Sequence, residues 1–283
     1  IEKERKIMKK EMRAEIIKQF EEAGYIVEEH AKKSNGVVSH GFVLKRNKQD
    51  AICPVYYEDQ IEGFLREGKT ISEIGRMAYE QAAQAEIITT WLCSKEEFKK
   101  HLTICLQKDS DEDLVKKSSG FEGLEKFVCL VVVNDDELYG RVCNVRPLLK
   151  KVGITEDEAW IIAEENMKQN IQICGLYELQ YRNVPKAIAS FTAPRDELIY
   201  VLSVTGYMYG AGAVTIHEVL AAFAKEHQVS SLLVLPSSVH EVLLVPGADE
   251  SQLQMFSEMV SEVNASEVLE EDRLTDRAYI LKF

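Results

Sequence analysis

Six stretches decide the fold class: Leu198–Val204 (LIYVLSV), Gly212–Glu226 (GAVTIHEVLAAFAKE), Ser231–Leu235 (SLLVL), Val239–Val245 (VHEVLLV), Asp249–Val263 (DESQLQMFSEMVSEV) and Ala278–Phe283 (AYILKF). The first, third, fourth and last are short runs rich in Val, Leu, Ile and Tyr, as strands are. The second and fifth are longer and carry apolar residues at helical spacing, such as Ile216, Leu220 and Phe223. The order β-α-β-β-α-β predicts a ferredoxin-like unit, an antiparallel sheet with both helices on one face. Pro236, Ser237 and Ser238 leave room for only a tight turn, which makes the middle strands a hairpin. Asp249 and Gln252 have the spacing of a capping box at the start of the second helix. The same elements would also serve to extend a sheet begun upstream at Phe127–Val133.

Working outward, Met8, Met12, Ile16 and Phe20 recur every four residues and predict a first helix that stops at Gly24. Tyr25–Val27 and Val37–Leu44 read as strands around the turn Ser34, Asn35, Gly36. Thr70 with Glu73, Ser94 with Glu97 and Thr155 with Glu158 announce three further helices by capping boxes. Gln107–Gly123 is polar and reads as a loop or linker. Phe127–Val133 is a continuous apolar run, the pattern of a strand buried on both faces, and Tyr139–Val145 is its expected hairpin partner. The chain is therefore expected to be α+β, with a mixed amino-terminal region over 1–195 and the β-α-β-β-α-β unit over 196–283.

At 283 residues, with 46% hydrophobic and 29% charged side chains, the chain has ample material for a packed core. Its formal net charge of -13 repels polyphosphate and argues against nucleic-acid binding, and suits a protein or cationic partner instead. The basic residues between Lys3 and Arg13 are interleaved with Glu4 and Glu11, as on a solvated helix face. No apolar run is long enough to span a bilayer and no signal-peptide pattern opens the sequence, so a membrane is excluded as partner and the cytoplasm is the expected location. Cys53, Cys93, Cys105, Cys129, Cys143 and Cys174 have irregular spacing without a C-x-x-C pair, so they read as buried free thiols, with no metal or cofactor implied.

Candidate ligand-binding residues lie in two places. The link Gly206, Tyr207, Met208, Tyr209, Gly210, Ala211, Gly212 would let backbone approach a bound group, with the following helix offering free amides to an anion. It lacks the Lys and Ser or Thr of a P-loop, so tight packing is the competing reading of Gly210 and Gly212. The second place is a pair of His-Glu dipeptides, His217 with Glu218 and His240 with Glu241. On a helix, His217 lies about 100° from the buried Ile216 and Glu218 about 200°, so the first flanks the core and the second faces water. Within a strand, His240 and Glu241 would point to opposite faces and could not grip one ligand together. The leading expectation is a non-catalytic binding or protein-interaction protein. Its rival is a hydrolase or small-anion-binding enzyme using the Gly206–Gly212 loop with His240 and Glu241.

The run Leu235, Pro236, Ser237, Ser238, Val239, His240, Glu241, Val242 resembles a family of Clostridia, the domain of unknown function 5688. Met259, Val260, Glu262, Val263 and Asn264 fit it too, as do Leu274, Thr275, Asp276 and Tyr279. Further upstream, Tyr56, Tyr57, the Gly210–Ala213 stretch and the run from Ala163 to Asn166 are also similar to it. The resemblance implies a bacterial, cytoplasmic setting and assigns no catalytic role to any residue.

Overall fold

The computed structural model describes residues 3–4, 8–47, 55–80, 94–133, 139–181, 198–206 and 208–283. The architecture is α+β, and the chain divides into two compact units, Ile1–Ser94 and Lys95–Phe283.

In the first unit, α1 (Lys10–Glu22) leads into a hairpin of β2 (Ile26–Ser34) and β3 (Val37–Lys45). Asn35 and Gly36 turn it with φ of 51° and 81°, the left-handed pair that a two-residue turn needs to match strand twist. A short β1 (Lys3–Glu4) runs parallel to the start of β3, and β4 (Val55–Tyr57) pairs antiparallel with its middle. Two helices follow, α2 (Glu58–Arg66) and α3 over 71–80, the latter opened by the expected box in which the Thr70 N–H donates to Glu73 Oε2 at 2.8 Å. Ile16, Phe20, Phe42, Leu44, Ile61 and Ile74 form the core. Met12 is not part of it and is 48% exposed. A four-residue step advances a helix by about 400°, so Met12 has drifted about 80° from Phe20, and Ile17 takes its place against the core. Buried Glu58 fastens the start of α1, accepting from the Met8 N–H at 2.7 Å and facing Arg13 Nε at 3.3 Å.

The second unit opens with α4 (Lys95–Lys100) and an antiparallel sheet centred on β7 (Leu124–Val133). One edge of β7 takes β5 (Leu102–Lys108), while β6 (Lys116–Ser118) and β8 (Tyr139–Val142) pair with successive parts of it. Phe127, Val128, Cys129 and Leu130 are all buried, as a strand covered on both faces requires. The segment 107–123 is no linker: β6 lies within it, and Leu114, Val115 and Ser119 are buried. Next come α5 (Arg146–Val152) and α6 (Glu156–Asn170), whose capping box has Thr155 Oγ1 accepting from the Glu158 N–H at 3.2 Å.

The second sheet of this unit uses β9 (Ile171–Gly175), followed by α7 (Leu176–Tyr181), and then β10 (Tyr200–Val204). A 3-10 turn, Gly210–Thr215, precedes α8 (His217–Glu226), and β11 (Ser231–Leu235), β12 (Val242–Pro246), α9 (Leu253–Ser266) and β13 (Tyr279–Lys282) complete it. The chain order β-α-β-β-α-β from β10 to β13 is as read from the sequence. The all-antiparallel sheet order is β13-β11-β12-β10-β9. It departs from the ferredoxin-like arrangement in placing the last strand beside β11, while β9 takes the edge of β10. That pairing also runs across the expected division near 195. Tyr200 lies opposite Gly175 and Val204 opposite Ile171, so a boundary there would cut a continuous sheet.

Candidate ligand-binding site

The site grows from a local exception in the second sheet. Apolar alternation predicts a strand from Val239, yet β12 begins at Val242. Ser237, Val239 and His240, just before it, have other backbone partners. The Val239 N–H donates to Asp272 O at 2.8 Å and the Leu274 N–H to Ser237 O at 2.9 Å, which ties this segment to 272–274. From the other side, the Gly210 N–H donates to His240 O at 2.9 Å and the Ala211 N–H to Val239 O at 3.2 Å. The expected placement of His240 and Glu241 on opposite faces of a strand therefore does not apply, because neither residue is in one.

Tyr209, Gly210, His240 and Glu241 come together here. Tyr209 has φ of 55°, a left-handed backbone that costs a non-glycine residue of order 1 kcal/mol or more, and such strain is concentrated at functional positions. That conformation aims its N–H at His240 Nδ1, 3.2 Å away, and sets its ring against the imidazole with centroids 5.0 Å apart. Because Nδ1 accepts, the ring proton belongs on Nε2, which lies 3.6 Å from Asp272 Oδ2. At that distance the contact is electrostatic, without a hydrogen bond. The His240 and Asp272 side chains are 20% and 22% exposed, so this edge of the cluster meets solvent. Beneath it the Arg141 guanidinium lies 4.3 Å from the Tyr209 ring centroid. Burial opposes the charge on Arg141, but Cys105, Cys143 and Cys129 outweigh it and hold the guanidinium more firmly protonated than usual. Cys105 and Cys129 are buried, with their Sγ atoms 2.7 Å apart.

Burial pushes the Glu241 carboxyl above its ordinary value of 4.5; Asp272 adds to this, and His240 and a hydrogen bond with Ser238 oppose it. A carboxyl whose folded value is raised contributes stability below its unfolded value, and that contribution is lost as pH rises through the folded one. Glu241→Gln is therefore expected to raise the melting temperature at pH 7.5 by about 2–4 °C, roughly 1 kcal/mol for a unit of this size, and to give no gain at pH 4. Calorimetry at the two pH values checks it, and an equal shift at both would refute the assignment.

The other candidates are placed differently. Gly212 is in the 3-10 turn, packed on β5, where an added methyl would press on the carbonyl of Ile104 with the carbonyl carbon 2.8 Å away. Gly210 is confined likewise, since a methyl there would lie 2.6 Å from Val204 N. His217 is exposed at the start of α8, its ring 5.3 Å from that of Phe283, and its neighbour Glu218 pairs with Lys168. Tyr207 lies outside the described residues. Thr205 and Met208, at the other end of the loop, border a separate cleft of about 230 Å³ with His101, Asn166 and Asn170. Sequence reasoning missed Arg141 and Asp272. Arg141 left a signal, as a lone charge in the expected partner of a strand buried on both faces.

With this geometry in hand, the comparisons place the chain. A model of a family of unknown function, DUF5688, matches residues 6–282. The chain belongs to that family. No curated protein and no solved structure matches it. Among the described residues no helix is long and apolar enough to cross a membrane, and no group of three or more His, Cys, Asp or Glu could hold a metal ion.

Proposed function

We propose that this member of the family is a cytoplasmic, non-catalytic binding protein whose ligand sits on the patch formed by Tyr209, His240, Glu241 and Asp272. The observation that carries the reading is the His240 imidazole. Its Nδ1 lone pair is occupied by the Tyr209 N–H and its proton faces Asp272, so it presents a fixed surface and has no free lone pair with which to act as a base. Two carboxylates at the rim of this patch, on a chain of net charge -13, favour a cationic group, carried by a small molecule or by a basic segment of a protein. The rival enzyme reading needs the Gly206–Gly212 loop to offer amides to an anion. The amides of Gly210 and Ala211 are already donated to His240 and Val239, which weakens that reading.

Thermal-shift measurements with spermidine, arginine amide and inorganic phosphate test the proposal. A cation present at about 100 times its dissociation constant stabilises by about 2.7 kcal/mol, and that gain is expected to disappear in Asp272→Asn. Stabilisation by phosphate alone, or a cation effect indifferent to Asp272→Asn, would favour the enzyme or a site elsewhere.

A further inference from the structure

The buried thiols of the second unit stand apart from that reading, because they rest on the register of a different sheet. Across the β5–β7 ladder Thr103 faces Cys129 and Cys105 faces Phe127. Cys105 and Cys129 are therefore diagonal neighbours on one face of the sheet. Their Sγ atoms are 2.7 Å apart, well inside ordinary non-bonded sulfur contact, whereas a disulfide needs about 2.05 Å. Two buried structural thiols need no charged neighbour, and these have one. Arg141, two residues before Cys143, interacts with both thiols, whose buried cluster with Leu114 and Phe127 has Tyr209 and Cys143 packed against it.

From this juxtaposition we infer that Cys105 and Cys129 are a reversible dithiol–disulfide pair, oxidised by hydrogen peroxide, with Cys105 as the attacking thiol and Cys129 as the resolving one. The polarity comes from the surroundings. Burial pushes Cys105 up, but contact with Cys129, the Arg141 guanidinium and His240 together hold it below its ordinary value. Cys129 is pushed well up, by burial first and then by Cys105. A thiolate is the nucleophile, so the member beside the guanidinium attacks first.

The Cys105 sulfur attacks one oxygen of the peroxide and the O–O bond breaks. Cys105 becomes a sulfenic acid, and the departing hydroxide takes up a proton to leave as water. The Cys129 sulfur then attacks the sulfenic sulfur, the S–O bond breaks, and a second water leaves as the S–S bond forms. Two thiols and one peroxide give one disulfide and two waters. In a reducing compartment such a bond is transient, which fits a sensing role better than a structural one.

The test treats the full-length native chain with graded hydrogen peroxide, quenches in acid, alkylates in denaturant and maps the non-reduced peptides by mass spectrometry. The expected result is a product lighter by two hydrogens, with the Cys105 peptide joined to the Cys129 peptide and the bond reversed by dithiothreitol. Cys129→Ser is expected to leave a sulfenic acid on Cys105 that dimedone traps, and Cys105→Ser to slow thiol loss at Cys129 about tenfold or more. The proposal is overturned if both thiols stay reduced while Cys143 or Cys174 oxidises, or if either thiol joins a different cysteine. It is equally overturned if the bond forms only in denatured protein. The wild-type peptide map decides the pairing even where a variant fails to fold. Neither result bears on cation binding at Asp272, so the two proposals fail separately.

Discussion

Gly212→Ala is expected to destabilise the second unit by about 3 kcal/mol or more, lowering its melting temperature by about 6–12 °C. Nothing in the backbone angle asks for glycine, because Gly212 is not among the residues with positive φ. The requirement is steric. The new methyl would meet the Ile104 carbonyl oxygen, with the carbonyl carbon at 2.8 Å and Ile104 Cγ2 at 3.3 Å. A flexible side chain could yield to it, but this is the backbone of β5, held to β7 with Ile104 opposite Val128. The 3-10 turn cannot retreat freely either, since the Gly210 and Ala211 amides are hydrogen-bonded to His240 and Val239. Relief would break one set of backbone bonds or the other and disturb the Tyr209–His240 contact with it. Gly63→Ala is the contrast: this glycine lies inside α2 with nothing within 4 Å of the added carbon, and alanine there should be neutral or stabilising by up to about 1 kcal/mol. Urea unfolding of both variants checks the pair; similar small effects from both would show that the turn moves easily away from β5.

How far the sequence went can be seen at particular residues. The continuous apolar run that starts at Phe127 reads correctly as a strand, buried on both faces over Phe127–Leu130, because burial on two sides leaves no polar position to obscure the pattern. The capping boxes at Thr70 and Thr155 were legible because both partners lie within four residues. The start of β12 was not. The alternation from Val239 onward is genuine, but a strand exists only where a neighbouring strand supplies its hydrogen bonds, and the backbone at 237–240 is bonded to 272–274 and 210–211, far away in sequence. Misplacing that start put His240 and Glu241 on opposite faces and hid their neighbourhood. Asp272 was invisible for a related reason: it closes the acidic run Glu270, Glu271, Asp272, which reads as a solvated turn until Asp272 is placed beside an imidazole. Nor was β9 legible, because its five residues after a long helix look like its frayed end unless the pairing with β10 is known.

The polar stretch after β5 misled for a reason that also makes it sensitive. Glu125→Leu is expected to cost the second unit about 3 kcal/mol, although Leu matches the apolar character of β7. Glu125 is 8% exposed, and its Oε1 accepts from Gln107 Nε2 and from Ser110 Oγ, each at 2.8 Å. Its Oε2 lies 3.1 Å from Lys116 Nζ. One carboxylate therefore gathers the end of β5, the loop after it and the start of β6, which is why a segment with the composition of a linker is folded. Leucine would leave the amide of Gln107 and the hydroxyl of Ser110 only the longer contacts to Glu112 Oε2, at 3.1 and 3.3 Å, and Lys116 without the Glu125 charge, and that combined loss exceeds the apolar gain. Burial pushes the Glu125 carboxyl up, but the hydrogen bonds from Gln107, Ser110 and Lys116 outweigh it and hold it below its ordinary value of 4.5. A depressed carboxyl contributes stability that is present above the unfolded value and is lost as pH falls through the folded one. Glu125→Gln keeps one acceptor and removes the titration, so its deficit against the wild type should be full at pH 7 and should shrink as pH falls below about 4.5. Denaturant unfolding at pH 7 and pH 3 measures both, and a deficit that stays constant across that range would show that Lys116 and the two donors do not act through the charge of Glu125.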